Sequence, residues 1–387
     1  MRIAHTVVAF PPAVEFGGPA VTAFELGRLL AARGAAVTVV ATNLMNRTER
    51  VPARRATIAG IDVSYCRALW LGSYGASISV EAIREIRSAV SASHVVHVHG
   101  YRNWLAALAA RHARNLDIPY IVHPHGTIPA VESRVGLKHV FDFAIGRRML
   151  GDAAAVVATT EAERTSLVKA GVHSSKVRTI PCGIVPDDFQ QLPDRGEFRR
   201  AHGIPDDQAL VAYLGRIHAR KGVDTLIRAF AASRRRSRAM LAIAGPDAGH
   251  ARVVRRLARA LNIEGSVIFP GMLRAQSKYR LLVDADVVVY PGRFEAFGLV
   301  PLEAVMCGTP VIVAGDWGCG EVAREIGGYV VPPDDWHAMA AMIDHVLAAR
   351  ADAGERVRAG REVIRAKYDW AIVATRFHNL YREVSRS

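Results

Sequence analysis

The sequence predicts two α/β domains in series, each a parallel sheet wound on both faces by helices. Three observations carry this prediction. Short β-branched runs alternate with amphipathic stretches along most of the 387 residues. The runs are apolar throughout rather than alternating, as strands buried on both faces must be. The pattern then breaks at 181–208, a stretch rich in Pro, Asp and Gly, and restarts. A length of 387 residues also fits two domains better than one.

Taken in order, Ile3–Ala9 reads as the first strand, ahead of Gly17-Gly18-Pro19 and a helix to about Arg33. In that helix Ala23, Leu26, Gly27 and Leu30 share one buried face. Gly34 suits the helix stop, and Ala36–Ala41 is the next strand. Val95–His99, Tyr120–His123, Ala155–Ala158 and Val177–Ile180 follow as strands. Beyond the break come strands at Leu210–Leu214, Met240–Ala244, Val267–Phe269, Val287–Tyr290 and Val311–Val313, with a helix at Val223–Ala232 after the first of them. Trp370–Val384 reads as a packing helix with Trp370, Val373, Phe377 and Val384 on one stripe. The expected domains are 1–186 and 187–369, with a C-terminal helix at 370–387 that packs back on the first domain.

Composition narrows the classes. Half the residues are apolar and 22% are charged, which excludes disorder, collagen and coiled coil for the whole chain. No apolar run reaches the roughly 18–20 residues that span a bilayer, and the first apolar run reads as a buried strand rather than a signal peptide. The four cysteines, at 66, 182, 307 and 319, form no pairing framework and read as free thiols of a cytoplasmic protein. The net charge is +14, and most of the excess lies in residues 1–186. That suits a polyanionic ligand, a nucleic acid or an anionic membrane, or simply a solvated surface. No helix-turn-helix signal, RNP-type aromatic motif or zinc knuckle supports nucleic acid.

Ligands of open parallel sheets bind outside the carboxyl ends of the strands, and the motifs sit there. After Val287–Tyr290 comes Pro291-Gly292-Arg293-Phe294-Glu295-Ala296-Phe297-Gly298-Leu299-Val300-Pro301-Leu302-Glu303-Ala304. Pro301 suits the first turn of a helix, and Gly292 and Gly298 let a backbone approach a ligand closely. Glu295 and Glu303 then bracket a helix N-terminus, where carboxylates accept from hydroxyls and free N–H groups face an anion. The plain alternative is a surface glutamate plus a glutamate favoured by the helix dipole. After Leu214 comes Gly215-Arg216-Ile217-His218-Ala219-Arg220-Lys221-Gly222. Arg216 and Lys221 are suited to a diphosphate; an ordinary basic turn is the alternative. His97 and His99 share one face of their strand, and His123-Pro124-His125-Gly126 ends the next. Two H-x-H pairs raise a zinc reading, weakened because no carboxylate or Cys accompanies them. Gly318-Cys319-Gly320-Glu321-Val322-Ala323, with Asp334 beyond, mimics a dinucleotide fingerprint but arrives late in the chain.

Together the Gly17-Gly18 loop, the Gly215-Arg216…Lys221-Gly222 turn and the E-x7-E segment resemble a family 4 retaining glycosyltransferase of the GT-B fold, in order over nearly the whole chain. The resemblance implies two Rossmann-like domains facing an interdomain cleft that clasps a nucleoside diphosphate sugar, UDP- or GDP-linked. It implies that the first domain binds the acceptor and the second the donor, with no metal and no cofactor. It implies that Arg216 and Lys221 hold the diphosphate, Glu303 the ribose, and Glu295 the donor sugar. His125 would contact that sugar near the reacting carbon. Gly17 and Gly18 would close over the phosphates or the acceptor, and Phe297, Gly298 and Leu299 would complete the donor site. The expected catalytic set is His125, Glu295, Arg216 and Lys221. One departure is visible: family members often read Asn-Gly-Val-Asp where this chain has Cys182-Gly183-Ile184-Val185. A basic surface with Arg47, Arg50, Arg54 and Arg55 near Leu44 and Met45 suggests a lipid-linked acceptor in cell-surface polysaccharide or glycolipid assembly, on the inner face of the cell membrane. A nucleotide-sugar-binding protein without turnover is the alternative from another class.

Overall fold

The structure is a computed structural model that describes the chain except residues 14–16, 47, 70–76, 129–134, 275, 316 and 387. Arg47 therefore lies outside the described residues. The chain forms two compact units, Met1–Gly183 with Trp370–Ser387, and Ile184–Asp369.

The first unit holds β1 (Arg2–Val7), α1 (Gly18–Ala32), β2 (Ala36–Thr42), β3 (Arg55–Ile58), β4 (Ile61–Cys66) and α2 (Glu81–Ser91). It continues with β5 (Val95–His99), α3 (Trp104–Asn115), β6 (Tyr120–His123), α4 (Val135–Phe141), α5 (Arg147–Gly151), β7 (Ala155–Ala158), α6 (Glu161–Lys169) and β8 (Val177–Thr179). The sheet order is β3-β4-β2-β1-β5-β6-β7-β8. All neighbours run parallel except β3, which pairs antiparallel with β4. The β3–β4 hairpin lacks the unbroken apolar run of the other strands, because Arg55, Thr57 and Asp62 face out on a sheet edge. Its turn has positive φ at Ala59 and Gly60.

The stripe expected on α1 is buried, with Ala23, Leu26 and Leu30 at zero exposure. Burial of Leu26 and of Leu30 stabilises the fold by about 1.5–3 kcal/mol each. Gly27 lets Ile61 pack close, since a Cβ there would lie 2.9 Å from Ile61 Cδ1 and the end of that side chain would have to shift. The last helix, α15 (Trp370–Val384), belongs to the first unit and buries Trp370, Val373, Phe377, Leu380, Tyr381 and Val384. Gly183 lets Trp370 close in, because a Cβ would lie 2.8 Å from the indole. Cys182 is buried with its Sγ 3.7 Å from Thr22 Oγ1, so this apolar flank does packing work. All four cysteines are free and buried.

The second unit holds α7 (Glu197–His202), β9 (Ala209–Leu214), α8 (Val223–Ala232), β10 (Ala239–Ala244), α9 (Ala251–Ala260), β11 (Val267–Gly271), α10 (Gln276–Asp284) and β12 (Val287–Tyr290). It ends with α11 (Leu299–Cys307), β13 (Val311–Ala314), α12 (Gly318–Glu325), β14 (Tyr329–Val331), α13 (Trp336–Ala348) and α14 (Arg350–Lys367). The sheet order is β11-β10-β9-β12-β13-β14, all parallel. The three-residue β14 is too short to stand out in sequence, yet it extends the sheet past the glycine-rich 318–323 segment. There the glycines serve packing: a Cβ on Gly315 would lie 2.7 Å from Gly320 Cα.

Candidate active site

In the second unit the carboxyl end of β9 leads into a basic turn. Gly222 has φ 62° and caps α8; a Cβ there would lie 2.3 Å from Pro291 O, so only glycine lets the turn meet the next loop. Arg293 N–H donates to Arg220 O across that contact at 3.0 Å. The loop after β12 then runs to Gly298, at φ 82°, before α11 opens with Leu299, Val300 and Pro301. Pro301 thus occupies the first turn, as its missing N–H allows.

This contact brings Lys221 and Glu295 together. Lys221 Nζ donates to Glu295 Oε1 at 2.5 Å, and Tyr290 OH donates to Glu295 Oε2 at 3.2 Å. Burial alone would raise the Glu295 carboxyl; the charge and hydrogen bond of Lys221 more than offset it and leave the group below the usual range. Tyr290 is pushed well above the ordinary phenol range by burial and by Glu295. The start of α12 supports the loop, with Cys319 N–H donating to Glu295 O at 2.9 Å. Phe297 is buried and meets the Tyr368 ring edge-on at 5.6 Å. Arg216 is exposed on the same turn as Lys221, with Tyr213 OH fixing its backbone carbonyl at 2.8 Å. Glu303 is half-buried on α11 and accepts from Lys278 Nζ at 2.8 Å. Lys278 loses charge stability by burial and regains more from Glu303, so its pKa lies above the ordinary value.

Lys278 and Tyr290 are not legible as site residues in sequence. Tyr290 had one signal, its place at the carboxyl end of a strand before a glycine. Lys278 had none, since it sits on a helix far from either motif.

In the first unit Gly17 caps α1 with φ 84° and, as a glycine, offers no side chain to the helix start. His125 lies in a turn where it and Gly126 both have positive φ, at 53° and 77°. A non-glycine residue there costs about 1–2 kcal/mol, and such positions gather at functional sites. Glu163, on α6, holds the turn: it is buried and accepts from Gly126 N–H at 2.5 Å, Thr159 N–H at 2.8 Å and Thr159 Oγ1 at 2.7 Å.

Behind His125 the sheet register collects imidazoles. His5 on β1 pairs with His97 on β5, and His99 pairs with His123 on β6. His5, His97, His99 and His123 are buried; Phe377 of α15 packs on His97 and His123, and Tyr381 on His5 and His97. Burial holds His5 and His125 down to about 3, and lowers His97, His99 and His123 well below the usual range. All five are neutral at pH 7. Three-residue sets of ligand nitrogens (His5, His97, His99 and His99, His123, His125) lie within 4.8 Å of one another. Within these sets His123 stacks on His125 at 3.7 Å and His97 on His99 at 4.1 Å. His5 was missed in sequence, though a lone histidine in an otherwise apolar buried strand was the signal for it.

Comparison with known proteins agrees with this architecture. Residues 16–188 match Glycosyltransferase Family 4, and residues 194–363 match Glycosyl transferases group 1. A D-inositol 3-phosphate glycosyltransferase of Kineococcus radiotolerans is 30% identical over 77% of this chain and 73% of that protein. Coverage varies, and the chain spans about half, 54%, of the length of another curated relative. Among solved structures, sucrose-phosphate synthase of Thermosynechococcus elongatus superposes with TM-score 0.80 at 25% identity, over 99% of this chain and 98% of that one. HepE of Anabaena in complex with UDP-glucose also gives 0.80, at 18% identity over 99% and 100%, a likeness of fold. The chain belongs to the family 4, group 1 glycosyltransferases, with the two Rossmann-like units of the GT-B type.

Proposed function

We propose that this glycosyltransferase moves a sugar from a nucleoside diphosphate sugar to an acceptor hydroxyl with retention of configuration. The observation that carries this reading is the Lys221–Glu295–Tyr290 network, set beside exposed Arg216 and followed by the α11 N-terminus and Glu303. Lys221 and Arg216 neutralise the departing diphosphate as preorganised electrostatics, with the amides near Gly298 and Leu299 adding to them. Glu303 accepts from ribose hydroxyls, and Lys278 orients it. Glu295 orients the donor sugar, and His125 donates a hydrogen bond to it near the reacting carbon. Gly17 and Gly18 allow a close backbone approach at the start of α1. The expected site offers no strong free nucleophile, which favours front-face attack by the acceptor. A HepE structure holding UDP-glucose and relatives named as sugar transferases support the donor class.

The acceptor we propose is lipid-linked, in cell-surface polysaccharide or glycolipid assembly. Its support is a cavity of about 690 Å³ in the first unit, near the carboxyl ends of β2 and β4. Arg50, Arg54, Arg67, Leu69, Ile78 and Val80 line it, so it offers both cations and aliphatic surface. Leu69 and Val80 are 72% and 78% exposed. Leu44 is buried and has no part in such a surface, while Arg54 and Arg55 are partly neutralised by Glu81 and Glu85. Among the described residues no helix is long and apolar enough to cross a membrane. Release of UDP or GDP from their sugars, with and without acceptor extract, tests the reaction. Flotation with anionic vesicles at low salt tests the surface, and absence of binding counts against it.

A further inference from the structure

His125 Nε2 lies 3.1 Å from His99 Nδ1, and His99 Nε2 lies 3.0 Å from His5 Nδ1. Each contact needs one proton between two nitrogens, and each neutral ring has one proton to give. The chain therefore has two self-consistent arrangements. In the first, His5 Nδ1–H donates to His99 Nε2, and His99 Nδ1–H donates to His125 Nε2. His125 is left with its proton on Nδ1, and His5 Nε2 is bare. In the second, every proton points inward, and the chain ends on a His5 Nε2–H. His5 Nε2 is buried without a partner among the described residues. Only the first arrangement puts the terminal N–H of the chain at the half-buried His125 end, where solvent or a ligand can accept it, rather than at the fully buried His5 end.

We infer that His99, anchored by His5, is a positioning residue that fixes His125 as the Nδ1–H tautomer. His125 Nδ1 then faces a ligand as a donor, and Nε2 is already occupied as an acceptor. The surroundings keep the chain in this form. His97 shares its Nδ1 with Tyr381 OH at 2.6 Å and so does not compete for His99. Glu163 spends both carboxylate oxygens on Gly126 and Thr159 rather than on an imidazole. The low proton affinity of all five rings excludes a charged chain at pH 7. The arrangement determines what His125 can do: it hydrogen-bonds an oxygen as a donor and does not remove a proton. That consequence rests on the transferase reading above; the tautomer itself does not.

The test is long-range proton–nitrogen correlation NMR on the full chain with ¹⁵N-labelled histidine at pH 7, with His125→Phe used for assignment. The inference expects His125, His99 and His5 all protonated at Nδ1. In His99→Phe the donor to His125 Nε2 is gone, so the His125 proton should redistribute toward Nε2. In His99→Asn the amide NH₂ occupies the place of Nδ1 and should restore the Nδ1–H form. Alongside, nucleotide release should show kcat lower by roughly 10- to 100-fold in His99→Phe, the scale for losing an outer partner that orients an imidazole. KM should stay within about twofold and His99→Asn should recover most of the rate on the same scale. An Nε2–H tautomer of His125 in the wild-type spectrum overturns the inference, even if a variant fails to fold. A His125 tautomer unchanged in folded His99→Phe overturns it as well. If no sugar nucleotide is turned over, the spectra still decide the tautomer, and only the transferase reading fails.

Discussion

Acidification should unfold the first unit far above the pH at which most globular proteins yield. The histidine column sets the magnitude. His5 and His125 titrate at about 3 in the folded chain against 6.5 when unfolded, and His97, His99 and His123 are also held well below 6.5. The folded pKa is depressed, so the stability from each neutral ring is present above pH 6.5 and is lost as pH falls from there toward 3. At pH 5 the unfolded chain holds nearly one more proton at each of His5 and His125, and His97, His99 and His123 act in the same direction. Each full proton contributes about 1.4 kcal/mol per pH unit, or roughly 3 kcal/mol per unit for His5 and His125 together. Glu163, raised mainly by burial, works in the opposite sense only near the ordinary carboxyl range. A domain stability of about 5–15 kcal/mol would then lose at least about 5 kcal/mol within about two units below pH 6. Calorimetry from pH 7.5 to 4.5, in buffers of differing ionisation enthalpy, reads the proton uptake of unfolding directly. An uptake near one proton at pH 5, or a melting temperature flat between pH 7 and 5, would refute the buried neutral column.

Other outcomes follow from the same structure. Lys221→Ala should cut nucleotide release by about 10²-fold or more, the scale of one lost charge-stabilising donor; near-wild-type turnover removes Lys221 from the mechanism. His123 has no hydrogen-bond partner on either ring nitrogen among the described residues. His123→Leu should therefore leave stability at pH 7 unchanged or higher by about 1 kcal/mol, and should reduce the acid proton uptake; a loss of several kcal/mol in urea unfolding speaks against it. Gly222→Ala forces a Cβ onto Pro291 O at 2.3 Å with φ at 62°, and should destabilise the second unit by about 1–3 kcal/mol. Unchanged urea midpoints would show that the turn relaxes freely.

Most strands of both sheets were legible because a fully buried parallel strand is an unbroken apolar run. Val95–His99, Tyr120–His123, Ala155–Ala158 and Val287–Tyr290 match to the residue. Elements that failed to show were short or half-exposed, as with β14 and the β3–β4 hairpin, where burial on one face only dilutes the apolar signal. The pairing of Lys221 with Glu295 is 74 residues apart in sequence and follows from two neighbouring strands, β9 and β12, ending side by side. Motif reading named both residues but could not show that they meet. Lys278 stayed invisible because a helix surface lysine looks the same whether or not a carboxylate lies opposite. The histidine column was half visible: alternation placed His97 and His99 on one face, whereas His5 joins them only through the β1–β5 register.

The central claim is that the second unit grips a nucleoside diphosphate sugar through Arg216, Lys221 and Glu303. Isothermal titration of UDP- and GDP-sugars into the wild-type chain and into Glu303→Gln tests it most directly. Saturable binding of one nucleotide class, weakened about tenfold or more in Glu303→Gln, equivalent to about 1.4 kcal/mol, is the expected result. Equal affinity in the two proteins, or no heat from any sugar nucleotide, would contradict it.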